Sequence, residues 1–349
     1  MKKFPWKALI TVAIIAVIPG LLSNPSSSQP NNLISQSKSK AQLIYTLNAH
    51  KDRVSELAIS PDGKKLISGS RDGTIKVWNL STGKVLNTIS ASSEGITSLV
   101  VSPDGQIVAS GDIDSTIKVW SLRTGELISV LKGHSQGVEA VAISLDGRTL
   151  VSGSDDRTIK VWNLSSGKLL YTLRGHADYI SSLAISSNGK FLVSGNGSSA
   201  NEHIKIWNLS TGKLLHTLKH QPVVASLGIT PDNKTLISGG FGQLVHKTNS
   251  INTIKLWDLA TGKLLRDFEE NTSSVTSLVL TPDGKTLICG DFDGKIKFWD
   301  WRTGKLLLTL PGKNSVVESV FVSRDGKMLA SSSENIIRIW RLSQQAVIK

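Results

Sequence analysis

The chain has a single cysteine, Cys289, so no disulfide can form within it. Its first forty residues hold no acidic side chain, against five lysines: Lys2, Lys3, Lys7, Lys38 and Lys40. Nowhere do lysines and arginines gather into a dense stripe interleaved with aromatics, which argues against a nucleic-acid surface. There is no G-x-x-x-x-G-K-[ST] loop to cradle a nucleotide phosphate and no H-E-x-x-H pair to ligate zinc. The longest apolar stretch, residues 8–22, is broken at Pro19-Gly20 and falls short of the about 20 residues that carry a helix across a bilayer.

What is present begins with that stretch. A basic start, an apolar middle from Ala8 to Ile18, a break and then small polar residues have the shape of an export signal. Cleavage near Ser23 is one outcome. A retained anchor that draws in Phe4 and Trp6 is the other. Both leave the lysines cytoplasmic and carry the rest of the chain across the membrane. Residues 1–22 are therefore expected to be a signal peptide or signal anchor. Residues 23–40, rich in Ser, Asn, Pro and Gln, read as a flexible polar linker, and residues 41–349 as the folded domain. Of the formal charge of +13, the five N-terminal lysines account for +5, leaving +8 on that domain. A mildly basic, solvated surface is expected. A hydrophobic content of 39% over 349 residues is enough for a substantial core.

The domain repeats itself. GTIKVWNLSTGKVL at residues 73–86 returns as RTIKVWNLSSGKLL at 157–170 and as NTIKLWDLATGKLL at 252–265. The tryptophan of this motif falls at Trp78, Trp120, Trp162, Trp207, Trp257, Trp299 and Trp340, at intervals of 42, 42, 45, 50, 42 and 41 residues. Inside a unit the hydrophobic period is mostly two. In the third, VEAVAIS (138–144), TLVSGS (149–154), TIKVWNL (158–164) and LLYTL (169–173) read as strands separated by the turns LDGR, DDR and SSGK. Four short antiparallel strands make one propeller blade, and seven units predict an all-β, seven-bladed β-propeller. The period and the Gly/Asp turns exclude a helical solenoid. QLIYTL (42–47) copies KLLYTL (168–173) and precedes the first complete set, while no fourth strand follows Trp340. The N-terminal strand is therefore expected to pair with the last blade and close the ring, removing its free edges.

The pattern GHxxxV…SPDG…SGSxDxTIKVWNLxTGK, over residues 42–342, resembles the WD-repeat β-propeller family. The Asp that follows Trp in that family stands only at Asp258 and Asp300. Asn79, Asn163, Asn208, Ser121 and Arg341 replace it elsewhere. The resemblance implies non-catalytic docking of peptides or proteins. It also implies a buried hydrogen-bond network in which Asp orients His, His bonds Ser and Ser reaches the Trp indole. The matching residues are His50, Ser68, Asp72 and Trp78 in blade one and His134, Ser152, Asp156 and Trp162 in blade three. A Ser, a His and an Asp together invite a hydrolytic reading. Two near-copies at equal spacing argue for scaffold instead, since an enzyme needs one site. Blade two keeps Ser110, Asp114 and Trp120 with Ser92 at the His position. Blade four keeps His176, Ser194 and Trp207. Blade six puts Asn271 at the His position and Cys289 at the Ser position beside Asp293 and Trp299, and blade seven keeps Ser331 and Trp340. Cys289 accordingly reads as a small core residue.

Candidate function sits on the face with the variable loops. The connection between second and third strands is longer by three residues in blade four (195–203) and by nine in blade five (239–252) than in blade three. Neighbouring blades would raise these into one rim. The candidate partner-binding residues of this face are Arg53, Arg71, Ile113, Tyr179, Phe241, Leu244, His246 and Phe292, among other mixed side chains such as Asp52, Glu94, Gln136, Asp155, Gln221 and Asn314. Lone His203 and His246 do not amount to a metal site. No cofactor, metal or catalytic set is expected. The opposite face carries a broken ring of turn lysines, suited to solubility and, if the chain stays anchored, to nearby anionic headgroups. The leading expectation is a non-catalytic interaction scaffold, exported or membrane-tethered, with a protein or peptide partner, no nucleic acid, and a monomeric propeller. The alternatives are a small-ligand or enzymatic propeller of the cell envelope and a purely structural envelope module.

Overall fold

The computed structural model describes residues 40–197, 203–219, 223–241, 254–268, 273–311 and 315–343. The expected signal and linker, and the candidate residues Leu244, His246, Gln221, Asn271 and Asn314, lie outside them. Described residues form seven four-stranded antiparallel sheets and no helix. Blade one holds Val54–Ile59, Lys65–Ser70, Thr74–Asn79 and Val85–Ser90 in that spatial order, and each later blade repeats it. The first strand of each blade lines the axis of the ring and the fourth lies outside, as their burial records: Val54–Ile59 is largely buried, Val85–Ser90 largely exposed.

Each turn has a chemical cause. In the first hairpin of blade one, the Ser60 hydroxyl donates to Asp62 Oδ1 at 2.6 Å, and the same oxygen accepts the Lys64 N–H at 3.0 Å. Gly63 follows with φ of +68°, a left-handed conformation that glycine adopts without penalty. Asp104, Asp146, Asp232, Asp283 and Asp325 cap the equivalent turns, with Ser or Thr hydroxyls as donors.

The core is seven slices of apolar side chains, each shared by two neighbouring blades. Ile67, Ile75, Val77 and Ile89 of blade one, for example, pack with Ile96, Leu99, Val108 and Trp120 of blade two. Close approach depends on the glycine of the second strand. A Cβ on Gly69 would lie 2.8 Å from Ile96 Cγ2, so any side chain there would push the blades apart.

Hydroxyls stitch the inner strands together. Ser55 Oγ donates to the carbonyl of Ile96 in the next blade at 2.7 Å, and Thr97, Ser181 and Thr276 do the same to Val138, Val224 and Val317. One residue along, Ser226 and Ser277 accept the backbone N–H of Leu278 and Val320 of the following blades, both at 3.1 Å. Where the stitching hydroxyl is missing in blade seven, Glu318 stands instead and pairs with Arg53 of blade one at 3.3 Å.

Ring closure is as expected. The N-terminal strand, Ala41–Asn48, pairs antiparallel with Ile336–Leu342 and forms the outer strand of the last sheet, beside Met328–Ser333 and Ser319–Val322. The first and last strands of the propeller thus hold each other, and the last blade is completed from the other end of the chain.

Candidate functional site

The polar residues that suggest hydrolysis are locked inside the blades. In blade one Asp72 Oδ2 accepts from His50 Nδ1 at 3.2 Å, which leaves Nε2 to accept the Ser68 hydroxyl at 2.7 Å. Ser68 Oγ in turn accepts the Trp78 indole N–H at 2.9 Å. Blade three repeats this with Asp156–His134 at 2.8 Å, His134–Ser152 at 2.7 Å and Trp162–Ser152 at 2.9 Å. Ser68 and Ser152 are 0% exposed, and their oxygens already serve an indole and an imidazole. Burial holds both imidazoles below their ordinary pKa, against the opposing pull of Asp72 and Asp156. Burial alone would raise the two carboxyls. Hydroxyl and backbone donors, led by Thr74 and Thr158, outweigh it and bring each down to about 2.

Blade two departs from the expected set. Trp120 donates to Ser110 at 3.1 Å, but Asp114 is not joined to that pair. Without an imidazole to orient, Asp114 takes Lys118 Nζ at 2.8 Å and the Thr116 hydroxyl, and Lys118 also bonds the fully buried Asp112. The lysine of the I-K-V-W motif plays this part in blades five and six as well. Lys255 bonds Asp267 at 2.5 Å in blade five, and Lys297 lies 3.0 Å from Asp291 in blade six. Blade four keeps His176–Ser194 at 2.6 Å and Trp207–Ser194 at 2.9 Å, with no carboxylate on His176 Nδ1 among the described residues. In blade six, Phe268 packs edge-on against Trp299 with ring centroids 5.8 Å apart, and the Trp299 indole N–H has no partner among the described residues. Cys289 is buried there, and burial pushes its thiol well up, which makes it a poor nucleophile. Trp340 reaches Ser331 only at 3.4 Å.

Residues 133–137 read GHSQG, the spacing of a nucleophile elbow. An elbow needs a strand leading into a helix. Here the segment joins the outer strand Leu127–Lys132 to the inner strand Val138–Ile143, and the Ser135 N–H donates to the Asp156 cap. The sharp strand-to-helix turn that exposes such a serine is missing.

The face that carries the connections between blades and the second-to-third-strand turns is built differently. Phe241 and Phe292, from blades five and six, meet edge-to-face with centroids 5.1 Å apart, and both are only partly buried. Arg53 is engaged with Glu318. Ile113 is 40% exposed. Tyr179 lies over Gly197, where any Cβ would strike its ring, and its phenol is pushed up to about 12 by burial and then by Glu139, Asp178 and Asp155. Asp155 is pushed up to about 7, first by burial and then by Glu139, with Arg71 opposing and Asp178 and Asp156 adding to the rise. Arg71, Ile113, Asp155 and Tyr179, from four successive blades, thus surround one patch, and Phe241–Phe292 form another.

Glu139 belongs to the first patch and is absent from the sequence-based set, because it lies inside an inner strand. A signal for it exists. The residue after the first inner-strand valine or isoleucine is Ser55, Thr97, Ser181 or Thr276 in four blades, Ala225 in one and the charged Glu139 or Glu318 in two. Among the described residues, no group of three or more His, Cys, Asp or Glu side chains is placed to hold a metal ion.

No curated protein matches the chain. The family model of the WD domain, G-beta repeat, matches residues 41–79, 83–121, 125–163, 167–208, 262–300 and 304–341. The stretch it passes over, between 208 and 262, contains the fifth repeat with its nine-residue insertion. The match covers more than half of the chain, in step with seven blades of four strands, and this protein belongs to the WD40 repeat family.

Proposed function

We propose that this propeller is a non-catalytic scaffold that docks a protein or peptide on its loop face. The observation that carries this reading is the contrast between its two polar systems. The Ser–His–Asp sets are sealed and satisfied within the blades, whereas the loop face presents a part-exposed aromatic pair, an exposed isoleucine and charged groups at the rim. An aromatic and aliphatic centre edged by polar side chains is how protein-binding surfaces are built. The family's repeats commonly serve as interaction scaffolds, which agrees.

We further propose that the N-terminal segment exports or tethers the domain, leaving the propeller on the outer side of the cytoplasmic membrane. The basic start and apolar stretch of residues 1–22 support this. The test is affinity capture from membrane and soluble fractions, with the full chain tagged at Lys349 and its intact mass recorded. The expected result is a specific partner that is lost in Phe241→Ala/Phe292→Ala while the melting curve still shows a folded propeller. A partner retained by that variant refutes docking at the aromatic patch. A soluble chain with an unshortened N-terminus refutes export and tethering.

A further inference from the structure

The inner strand of blade three carries an unpaired charge where four others carry a hydroxyl stitch, blade seven a paired carboxylate and blade five Ala225. Ser55, Thr97, Ser181 and Thr276 each use a hydroxyl to hold the next blade, and Glu318 uses its carboxylate to hold Arg53. Glu139 occupies the same place and has no hydrogen bond or ion pair among the described residues, although it is only 8% exposed. An unpaired carboxylate on a side chain this enclosed favours a counter-charge beside it.

Its surroundings say where that charge would sit. The Asp155 N–H donates to the Gly137 carbonyl at 2.9 Å, which fixes the Asp155 backbone beside Gly137. A Cβ on Gly137 would lie 3.4 Å from Asp155 Oδ2, 3.6 Å from Glu139 Oε1 and 3.6 Å from Ile113 Cα. Two carboxylate oxygens therefore converge on one small space that the missing Gly137 side chain leaves open, with a backbone wall from blade two on its far side. Asp178 and Tyr179 of blade four lie within electrostatic reach, and Arg71 of blade one, the cation that acts on Asp155, makes no ion pair with either carboxylate among the described residues. The carboxylates are too few for a metal. They match one ammonium or guanidinium group, which accepts two anionic partners from one side.

We propose that Glu139 and Asp155 form a receptor for a single lysine or arginine side chain of a docked protein, entering over Gly137 with Ile113 beside it. The occupant is a side chain on a polypeptide because the site opens on the same face as exposed Ile113 and Gln136, where a peptide backbone has room to run. This rests on the docking reading above and names the chemistry that the loop face recognises.

The probe is acetyl-Ala-Arg-Ala-amide, titrated into the full chain in low salt at pH 8 and followed by ligand-observed NMR, with the uncharged citrulline peptide as its isostere. The arginine peptide should bind and the citrulline peptide should not. Glu139→Gln should weaken binding at least about tenfold, the scale of losing one charged hydrogen-bonded partner. Asp155→Asn is the second variant, and it carries the test should Glu139→Gln fail to fold. Between pH 6 and pH 8 the wild-type affinity should rise by about tenfold as Asp155 ionises, with Glu139, Asp156, Asp178, Tyr179 and Arg71 the charged and titratable groups that face it. Equal binding of both peptides, no binding by either, or undiminished binding in a folded carboxylate variant overturns the proposal. If partner capture persists while the peptides fail, the cation receptor falls and the docking face stands. If the arginine peptide binds through Glu139 while capture fails, the receptor stands and the aromatic patch falls.

Discussion

Acid should loosen this propeller at blade four, through His176. That imidazole is buried, its Nε2 bonded to Ser194 at 2.6 Å and its Nδ1 without a partner among the described residues. Burial, and then nearby Lys205, push its pKa from 6.5 down to about 3. The unfolded chain takes up this proton near pH 6.5, whereas the fold refuses it until about pH 3. Stability therefore rises with pH across that window and falls as the solution is acidified through it. Each pH unit is worth about 1.4 kcal/mol once the unfolded imidazole is fully protonated, so acidification from pH 6.5 to 4.5 removes roughly 2 kcal/mol through this one residue. That is a large share of the roughly 5–15 kcal/mol that holds a domain folded. Asp155 acts with the opposite sign. Its folded pKa of about 7 lies above the ordinary 3.8, so the fold holds that proton more tightly and ionisation costs stability as pH rises between those values. The wild-type slope sums these with other shifted groups, His50, His134, Asp72 and Asp156 among them, so the assay must be a difference. Urea unfolding of wild type and His176→Gln is followed at steps between pH 7 and 4.5. Glutamine keeps an amide for Ser194 and does not titrate in this range. The stability gap should shift by roughly 2 kcal/mol in favour of the variant toward pH 4.5. Parallel curves would refute the assignment.

The hydrogen-bond sets make a graded prediction. Ser152→Ala strands the Trp162 indole and the His134 imidazole and should cost about 2–3 kcal/mol, whereas Ser331→Ala, whose bond to Trp340 is 3.4 Å long, should cost under about 1 kcal/mol in the same urea titration. Gly153→Ala drives a methyl into Ile180 of the next blade and should destabilise by about 1–3 kcal/mol, seen as a lower Tm in calorimetry. Cys289→Ser offers the orphaned Trp299 indole the acceptor that other blades provide, and should stabilise by about 1 kcal/mol. The wild-type thiol should stay unreactive to a thiol reagent until urea unfolds the chain.

Much of this molecule was legible in its sequence because a propeller blade is a local object. Turns at Ser60-Pro61-Asp62-Gly63, period-two strands and the repeated tryptophan all act within about forty residues, and the repeat leaves their order in no doubt. Even the ring closure showed, because Ala41–Asn48 reproduces a fourth strand ahead of the first complete set. Blade three illustrates the agreement: its predicted third strand, 158–164, is observed as Ile159–Asn163. The hydrogen-bond offsets predicted blades one and three for the same reason. They failed for Asp114, where a lysine two residues before the tryptophan competes for the carboxylate once the imidazole is gone.

The remaining features depend on contacts between blades, which have no fixed spacing along the chain. Period and composition determined the architecture and the number of blades. Only the tertiary structure could seat Phe241 against Phe292, or bring Arg71, Ile113, Asp155 and Tyr179 of four blades around one space. Only it could reveal that Glu139, one residue of an unremarkable apolar strand, turns its carboxylate toward Asp155 over the empty side of Gly137. Strand geometry is set by neighbours a few residues away, whereas a charge becomes unusual only through the groups that folding brings beside it.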